Sequence, residues 1–460
     1  MERMIRGKKL KTADVPPLNA AGLFRGFKPE VERIPRKLEV KRDEKVDRMS
    51  ESYRGLDYER MSNNHARAIK LVEGLRASSK QIEGFSIELA QFQEDEHFSE
   101  KAGYILSALI ADSPDEEFVI HTHHITAKIN GIGLDTEKRI TVNGDAGDCL
   151  GLGLRGGTII VEGSAGHVAG GHMRGGSIFI EGDAGDRAGS CMEAGVLLIG
   201  GKTEDACGEL MQGGLIQVGG DAEARLGREM KGGTIIVGAN AGCCMGEEMK
   251  GGSIIVMKDA GSFIGEKMRG GLIEIGGDAG SRIGGEMKSG LIIVKGEVFD
   301  EIGREMEGGR IIICKDVSRG IGGWMLDGEI RVFGTVSGGY IGIGMQGGTI
   351  TIDGDVGEYV GTKMRGGTIL VEGDAGERLG SGWKLKYVGM PEDLPRDREG
   401  MRGGKLIVKG SAGKDAGLEM CGGELHVWGS IESVSDKIFG GRIFHQGVLM
   451  KDKPDVLIEE

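Results

Sequence analysis

A Met-x-Gly-Gly signature returns along this chain at a fixed step of 19 residues, and few folds tolerate such a register. It stands at Met173, Met192, Met211, Met230, Met249, Met268, Met287, Met306 and Met325, with Leu154 in the methionine place one step earlier. One added residue leads to Met345 and then Met364; a longer insertion precedes Met401, and Met420 and Ile438 follow. A degenerate copy, Arg139 to Gly147, comes before the first, giving about sixteen units. Within a unit apolar residues alternate, as in Thr158-Ile159-Ile160-Val161-Glu162, and glycine-rich turns bound them. Alternation of period two is strand, not helix. One strand per unit cannot bury its own apolar side, whereas units stacked ~4.8 Å apart bury all of them in one column. The expected fold class is mainly β: a right-handed parallel β-helix, a solenoid of about sixteen 19-residue turns, with a small mixed helical N-terminal cap.

Other slots of the unit support the same stack. The Met slot and the slot fifteen residues later (Leu226, Met245, Ile264, Ile283, Ile302, Ile321) predict further inward ladders. Methionine is pliable enough to fill a corner of varying width. Asp183, Asp221, Asn240, Asp259, Asp278, Asp316, Asp355 and Asp374 share a turn slot, where a local bond to the next backbone N–H is expected. Of 87 glycines, 80 fall in the last 330 residues, where they take the corners. With 8 prolines and no Gly-X-Y triplet, collagen is excluded, and 39% hydrophobic residues argue against a disordered glycine-rich chain.

Net charge of −13 speaks against nucleic-acid binding, although residues 1–50 are basic. The first residues lack an apolar signal core, and the longest apolar run, Tyr104 to Ala111, is far short of a membrane helix. Seven cysteines without paired spacing fit reduced thiols, so a cytoplasmic chain with no membrane insertion is expected. The expected organisation is an extended basic arm over 1–57 and an α/β cap over 58–130. The repeat body follows over 131–448, with an insertion loop at 381–400, and a tail over 449–460. Within the cap, helices are expected over about Asn64 to Arg76 and from a Ser99 cap through Ile110, then a strand from Phe118 to Ile125.

Motifs for chemistry are weak. Gly200-Gly201-Lys202-Thr203 lacks the earlier glycine of a phosphate loop, Val196 standing there, and follows a repeat strand without opening a helix. Gly151-x-Gly153-x-x-Gly156 and Gly342-x-Gly344-x-x-Gly347 are products of the glycine abundance, and no Gly-x-Ser-x-Gly elbow exists. The metal candidate is His121-x-His123-His124, because His121 and His123 share one strand face; His167 and His172 flank a turn. Partner contacts are expected at Trp383 and Tyr387 in the insertion loop, and at the basic slot after Met, notably Arg269 and Arg365. No catalytic or cofactor-binding residue is expected on this chain.

The units Met173-Arg-Gly-Gly-Ser-Ile-Phe-Ile-Glu-Gly-Asp-Ala-Gly185 and Met364-Arg-Gly-Gly-Thr-Ile-Leu-Val-Glu-Gly-Asp-Ala-Gly376 resemble the GXGXG repeats of the β-helical subunit of formylmethanofuran dehydrogenase. Similar repeats form the C-terminal domain of the glutamate synthase large subunit. The late break before Gly400-Met401 is more similar to the first family, and the resemblance covers about residues 135–448. It implies a non-catalytic structural β-helix subunit of a multisubunit oxidoreductase. The partner subunits of such a complex would carry molybdenum- or tungsten-pterin and iron–sulfur clusters. Two alternatives stay open. One is a glutamate-synthase-like module working with separate glutaminase and synthase subunits; the other is a homo-oligomeric metal-binding protein using His121, His123 and His124.

Overall fold

The computed structural model describes residues 43–59, 63–382 and 400–454. Among these residues the chain is mainly β, a parallel β-solenoid of about sixteen turns with four α-helices near its N-terminal side. The backbone divides into two units. One holds the described residues up to 242 together with 252–257, and the other holds 243–251 and the described residues from 258 onward.

The first unit begins with α1 (Glu44–Gly55), α2 (Asn64–Val72), α3 (Ser79–Glu88) and α4 (Phe98–Asp112). Three of them start at a side-chain cap. Asp43 accepts the Lys45 amide at 2.9 Å, Asn63 accepts that of Ala66 at 3.0 Å, and Ser78 with Gln81 closes a capping box. Helix α1 corrects the expectation of an extended arm over 1–57: Val46, Met49 and Tyr53 recur at helical spacing and all are buried. Residues 1–42 lie outside the described residues. Helix α2 is shorter than expected, α4 starts two residues earlier with His97 and not Ser99 at the cap position, and α3 is an additional helix. The α3 hydroxyl of Ser86 accepts the His121 backbone amide at 3.1 Å, so the helix covers part of the first strand's edge.

Strands β1 (Glu117–His121), β2 (Arg139–Asn143), β3 (Thr158–Val161), β4 (Arg174–Ile180), β5 (Ala194–Ile199), β6 (Leu215–Val218), β7 (Thr234–Val237) and β8 (Ser253–Val256) pair in order, all parallel. Each pairing advances one turn. Ile159 lies beside Ile178, Ile178 beside Leu197, and Ile235 beside Ile254. All are fully buried.

The second unit repeats the scheme with β9 (Leu272–Ile275), β10 (Leu291–Val294), β12 (Arg310–Ile313), β14 (Glu329–Val332), β15 (Thr349–Ile352), β16 (Thr368–Val371), β17 (Lys405–Val408), β18 (Cys421–Val427) and β19 (Gly440–His445). An alanine-lined ladder not anticipated from the sequence runs beside the strands as single bridges, such as Ala375 to Ala412. It broadens into β11 (Val298–Ile302) and β13 (Val317–Ile321). The ladder fifteen residues after Met is also present, for example Ile264 to Ile283. Residues 449–453, expected to belong to a tail, form most of β20 (Val448–Lys453), which turns back antiparallel to β19. The expected insertion loop begins later than Ser381, which is fully buried in the stack. On either side of it, the Gly382 amide bonds the Leu418 carbonyl and the Gly400 amide bonds the Glu419 carbonyl, both at 2.8 Å.

Packing explains the Met-x-Gly-Gly signature. A Cβ added to Gly233 would lie 2.7 Å from the Met211 methyl, and one added to Gly309 would lie 2.8 Å from the Met287 methyl. Along most of the stack, then, a methionine methyl occupies the space that a side chain on the second glycine of the following turn would need. That glycine also has a left-handed backbone, φ +87° at Gly309. The turn aspartates overturn the expectation of a local bond. Asp183 accepts the Lys202 amide, Asp278 the Glu297 amide and Asp355 the Asp374 amide, each at 2.8 Å and each 19 residues on. These carboxylates tie successive turns together. Two further columns hold non-glycine residues at positive φ, Phe263 and Arg282 in one, Lys267 and Glu286 in the other. Each costs about 1–2 kcal/mol, a strain that persists because the surrounding ladders over-determine it.

Ile273 is fully buried and Arg269 is exposed on the same unit. Ile273→Asp is therefore expected to abolish soluble expression, because it buries a lone charge in the stack, while Arg269→Glu leaves the circular dichroism spectrum unchanged. Gly309→Ala is expected to lower stability in urea by about 2 kcal/mol or more through backbone strain and overpacking. Combined with Met287→Ala, the two losses should fall short of additive by about 1 kcal/mol; strict additivity would show that the methyl and the glycine do not share that space.

Candidate functional site

Alternation in β3 to β8 points one set of residues into the core and the other away from it. The outward set is unusually apolar: Ile160, Phe179, Leu198, Ile236 and Ile255 follow one another on successive turns, interrupted only by Gln217. Ile160 and Ile236 are buried, and Phe179, Leu198 and Ile255 are half-buried. Val196 and Leu215 extend the apolar area on one flank. On the other flank stand Gly200 and Gly219, where no side chain fits: a Cβ at Gly219 would lie 2.3 Å from the Gly200 carbonyl oxygen. The result is a flat, apolar sheet face whose charged residues are Glu162 and Glu181 at its first two rows.

In the second unit the same outward slot is also largely apolar, with Ile293, Ile312, Leu370 and Ile407, but Glu274 and Arg331 enter it and pair with charges on neighbouring turns. Lys295 meets Glu274 at 2.8 Å, Arg331 makes two bonds of 3.1 Å to Asp353, and Lys409 meets Glu372 at 2.8 Å. Arg269 and Arg365, expected as partner contacts, are exposed at the slot after the buried Met. Neither makes an ion pair among the described residues, whereas Lys288 in the same column pairs with Glu307 at 2.9 Å. Trp383 and Tyr387 lie outside the described residues.

The three clustered histidines sit at the end of β1 and just beyond it. A carbonyl or carboxylate can only accept, so the partners fix the tautomers. His121 is buried, its Nε2 donating to Glu83 Oε1 at 3.1 Å while Nδ1 faces the Asn143 side-chain amide at 3.4 Å. His123 Nδ1 donates to the Asn143 carbonyl at 3.3 Å, and His124 Nε2 donates to the Ile87 carbonyl at 3.0 Å. Burial, with repulsion from His123 and His121, holds the His124 imidazole below its ordinary value despite the Ile87 bond. Both nitrogens of His121 are thus occupied, and one lone pair each remains on His123 and His124. A structural zinc site uses four protein ligands and a catalytic one three.

The described residues bring a different set of donors together. His167, Asp186 and Glu204, from three successive turns, place ligand atoms within 4.8 Å of one another. His167 and Glu204 border a shallow groove of about 430 Å³ that Lys128 and Lys202 also line. His167 has a structural duty there, however. Asp148 accepts the His167 amide at 2.9 Å, His167 Nδ1 accepts the Asp186 amide at 3.0 Å, and Asp186 accepts the Asp205 amide at 3.0 Å. The imidazole replaces a carboxylate in a second inter-turn ladder, which places its proton on Nε2. Its position in that column was readable from the 19-residue step; its use of Nδ1 as an acceptor was not. Among the described helices none is long and apolar enough to cross a membrane. No family model matches this chain and no curated protein matches it, so its faces and donors carry the functional reading.

Proposed function

We propose that the chain is a non-catalytic scaffold subunit of a cytoplasmic multisubunit oxidoreductase, most nearly of the formylmethanofuran dehydrogenase type. The observation that carries this reading is the outward face of β3 to β8, where five apolar rows are interrupted only by Gln217 and charge is confined to Glu162 and Glu181. Six strands at ~4.8 Å, each ~15 Å long, make a sheet face of roughly 400 Å² on which Phe179, Leu198 and Ile255 are half-buried while Ile160 and Ile236 are buried. A face locked by three sets of ladders holds a partner in one orientation. Arg269 and Arg365 add exposed cations to which an acidic surface could bind. The redox groups, molybdenum- or tungsten-pterin and iron–sulfur clusters, belong in this reading to the partner subunits. The repeat resemblance favours this host over a glutamate synthase.

Purification of the tagged chain from its native source is expected to bring down a partner with stoichiometric molybdenum or tungsten and iron–sulfur absorption. Leu198→Glu combined with Ile255→Glu, both on the outward face, should keep the native circular dichroism spectrum and lose at least tenfold of that partner. Recovery of the native chain without any redox partner would sink the proposal, and recovery of a glutaminase subunit would move it to the glutamate synthase alternative.

A further inference from the structure

Half of the large apolar side chains exposed among the described residues lie in one short stretch of the second unit. Trp428 is 51% exposed, Phe439 53%, Val448 64%, Leu449 46% and Met450 53%. All belong to β20 or to the turns beside β18 and β19. Strand β20 pairs with β19 alone and is the last strand among the described residues. Gln446 (φ 51°) and Gly447 (φ 77°) make a two-residue hairpin turn of the tightest kind, and Val448 lies across from His445. In an antiparallel ladder the residues flanking such a turn bond each other and the next pair points its amides outward. The Leu449 amide and carbonyl therefore face the outer edge. Just beyond it the ladder slips by one residue, Lys451 and not Met450 lying across from Ile443, so the regular edge ends at Leu449 with Met450 as the extra residue of a bulge.

We propose that two copies of this chain join edge to edge through β20, antiparallel about a twofold axis at Leu449, to form a closed dimer. The occupant is a second copy because the edge is complementary to itself. About that axis Leu449 meets Leu449 of the other copy, and Val448 meets Met450 on either side, so all three exposed residues pair apolar to apolar. The charges that follow exclude the neighbouring registers. An axis at Met450 would set Leu449 against Lys451 and Val448 against Asp452, and an axis at Lys451 would set two lysines against each other. Area agrees as well. The exposed parts of the five side chains come to roughly 450 Å² per copy, and with adjoining backbone the pair approaches the ~1,000 Å² expected of a specific contact. The reversal of β20 matters for symmetry. A parallel edge meeting a second solenoid head to tail gives an open chain, whereas an antiparallel edge meeting itself closes at two. This inference is independent of the scaffold reading.

The test is the mass of the full chain in solution by light scattering and sedimentation, with two variants. The native chain is expected at twice its chain mass at micromolar concentration. Leu449→Lys, which opposes two cations at the axis, should weaken the dimer at least tenfold and leave the circular dichroism spectrum unchanged. In a background with Cys149, Cys191, Cys243, Cys244 and Cys314 replaced by serine, Leu449→Cys should join two chains under mild oxidation or with a short bis-maleimide, the background alone giving no such product, whereas Val448→Cys should do so only together with Met450→Cys. Cross-linking reads the geometry even if the lysine variant fails to fold. A native chain that is monomeric at tens of micromolar overturns the proposal, as does a dimer that Leu449→Lys leaves intact. A chain that becomes dimeric only when cut after Pro454 also overturns it, because residues 455–460 would then be what covers the patch.

Discussion

Backbone amides that bond the turn before them are the constraint from which the remainder follows. In a parallel stack each amide finds its partner one turn away, so every turn must bring the same atoms to the same height. That requirement explains the constant step better than any single side chain does. It also explains why side-chain acceptors are drawn into the same role, with Asp183, Asp278, Asp355 and even His167 each taking an amide from the next turn. An exposed column of like carboxylates looks unfavourable until one oxygen of each is seen to be committed to the stack. The second oxygen remains in water, where repulsion at such spacing is only about 1 kcal/mol.

Fold class was legible because a period of two inside a period of 19 leaves little else. The inward ladders at Ile273, Met287 and Ile264 could be read slot by slot. What escaped was whatever depends on a neighbour one turn away. The bond from Asp183 to Lys202 looks local in sequence, since aspartate in a turn normally serves its own turn. The second glycine of the signature reads as a flexible corner, whereas its lack of a side chain makes room for the preceding methionine. Helix α1 was concealed by a charged surround, its buried Val46, Met49 and Tyr53 too sparse to outweigh the lysines and glutamates between them. Helix α3 did have a readable start in Ser78 and Gln81, but its apolar face is weak.

Functional features were legible in proportion to how far they rest on type and how far on surroundings. The histidine cluster was visible as a set of residues, but whether its nitrogens are available depends on Glu83, Ile87 and Asn143, which are distant or unremarkable in sequence. The apolar outward face was in plain view as Ile160, Phe179 and Leu198, yet an apolar residue in a strand is ordinarily assigned inward. The alternation of burial shows the outward direction in β5, where Leu197 and Ile199 are buried and Leu198 between them is only half-buried. The two units differ in degree: Glu274 with Lys295, Arg331 with Asp353 and Glu372 with Lys409 pair across turns in the second, whereas β3 to β8 carry only Glu162 and Glu181.

The bonds at Gly382 and Gly400 have a consequence for how such chains can change. These two residues, 18 apart in sequence, reach adjacent carbonyls of the same following turn, Leu418 and Glu419. The stack therefore measures position by height and not by residue count. Whatever joins those two points can lengthen, shorten or be exchanged for another segment, since the cost of a longer loop grows only slowly with its length. A solenoid built this way is a rack with an addressable socket, into which lineages can fit different attachments while the frame stays the same.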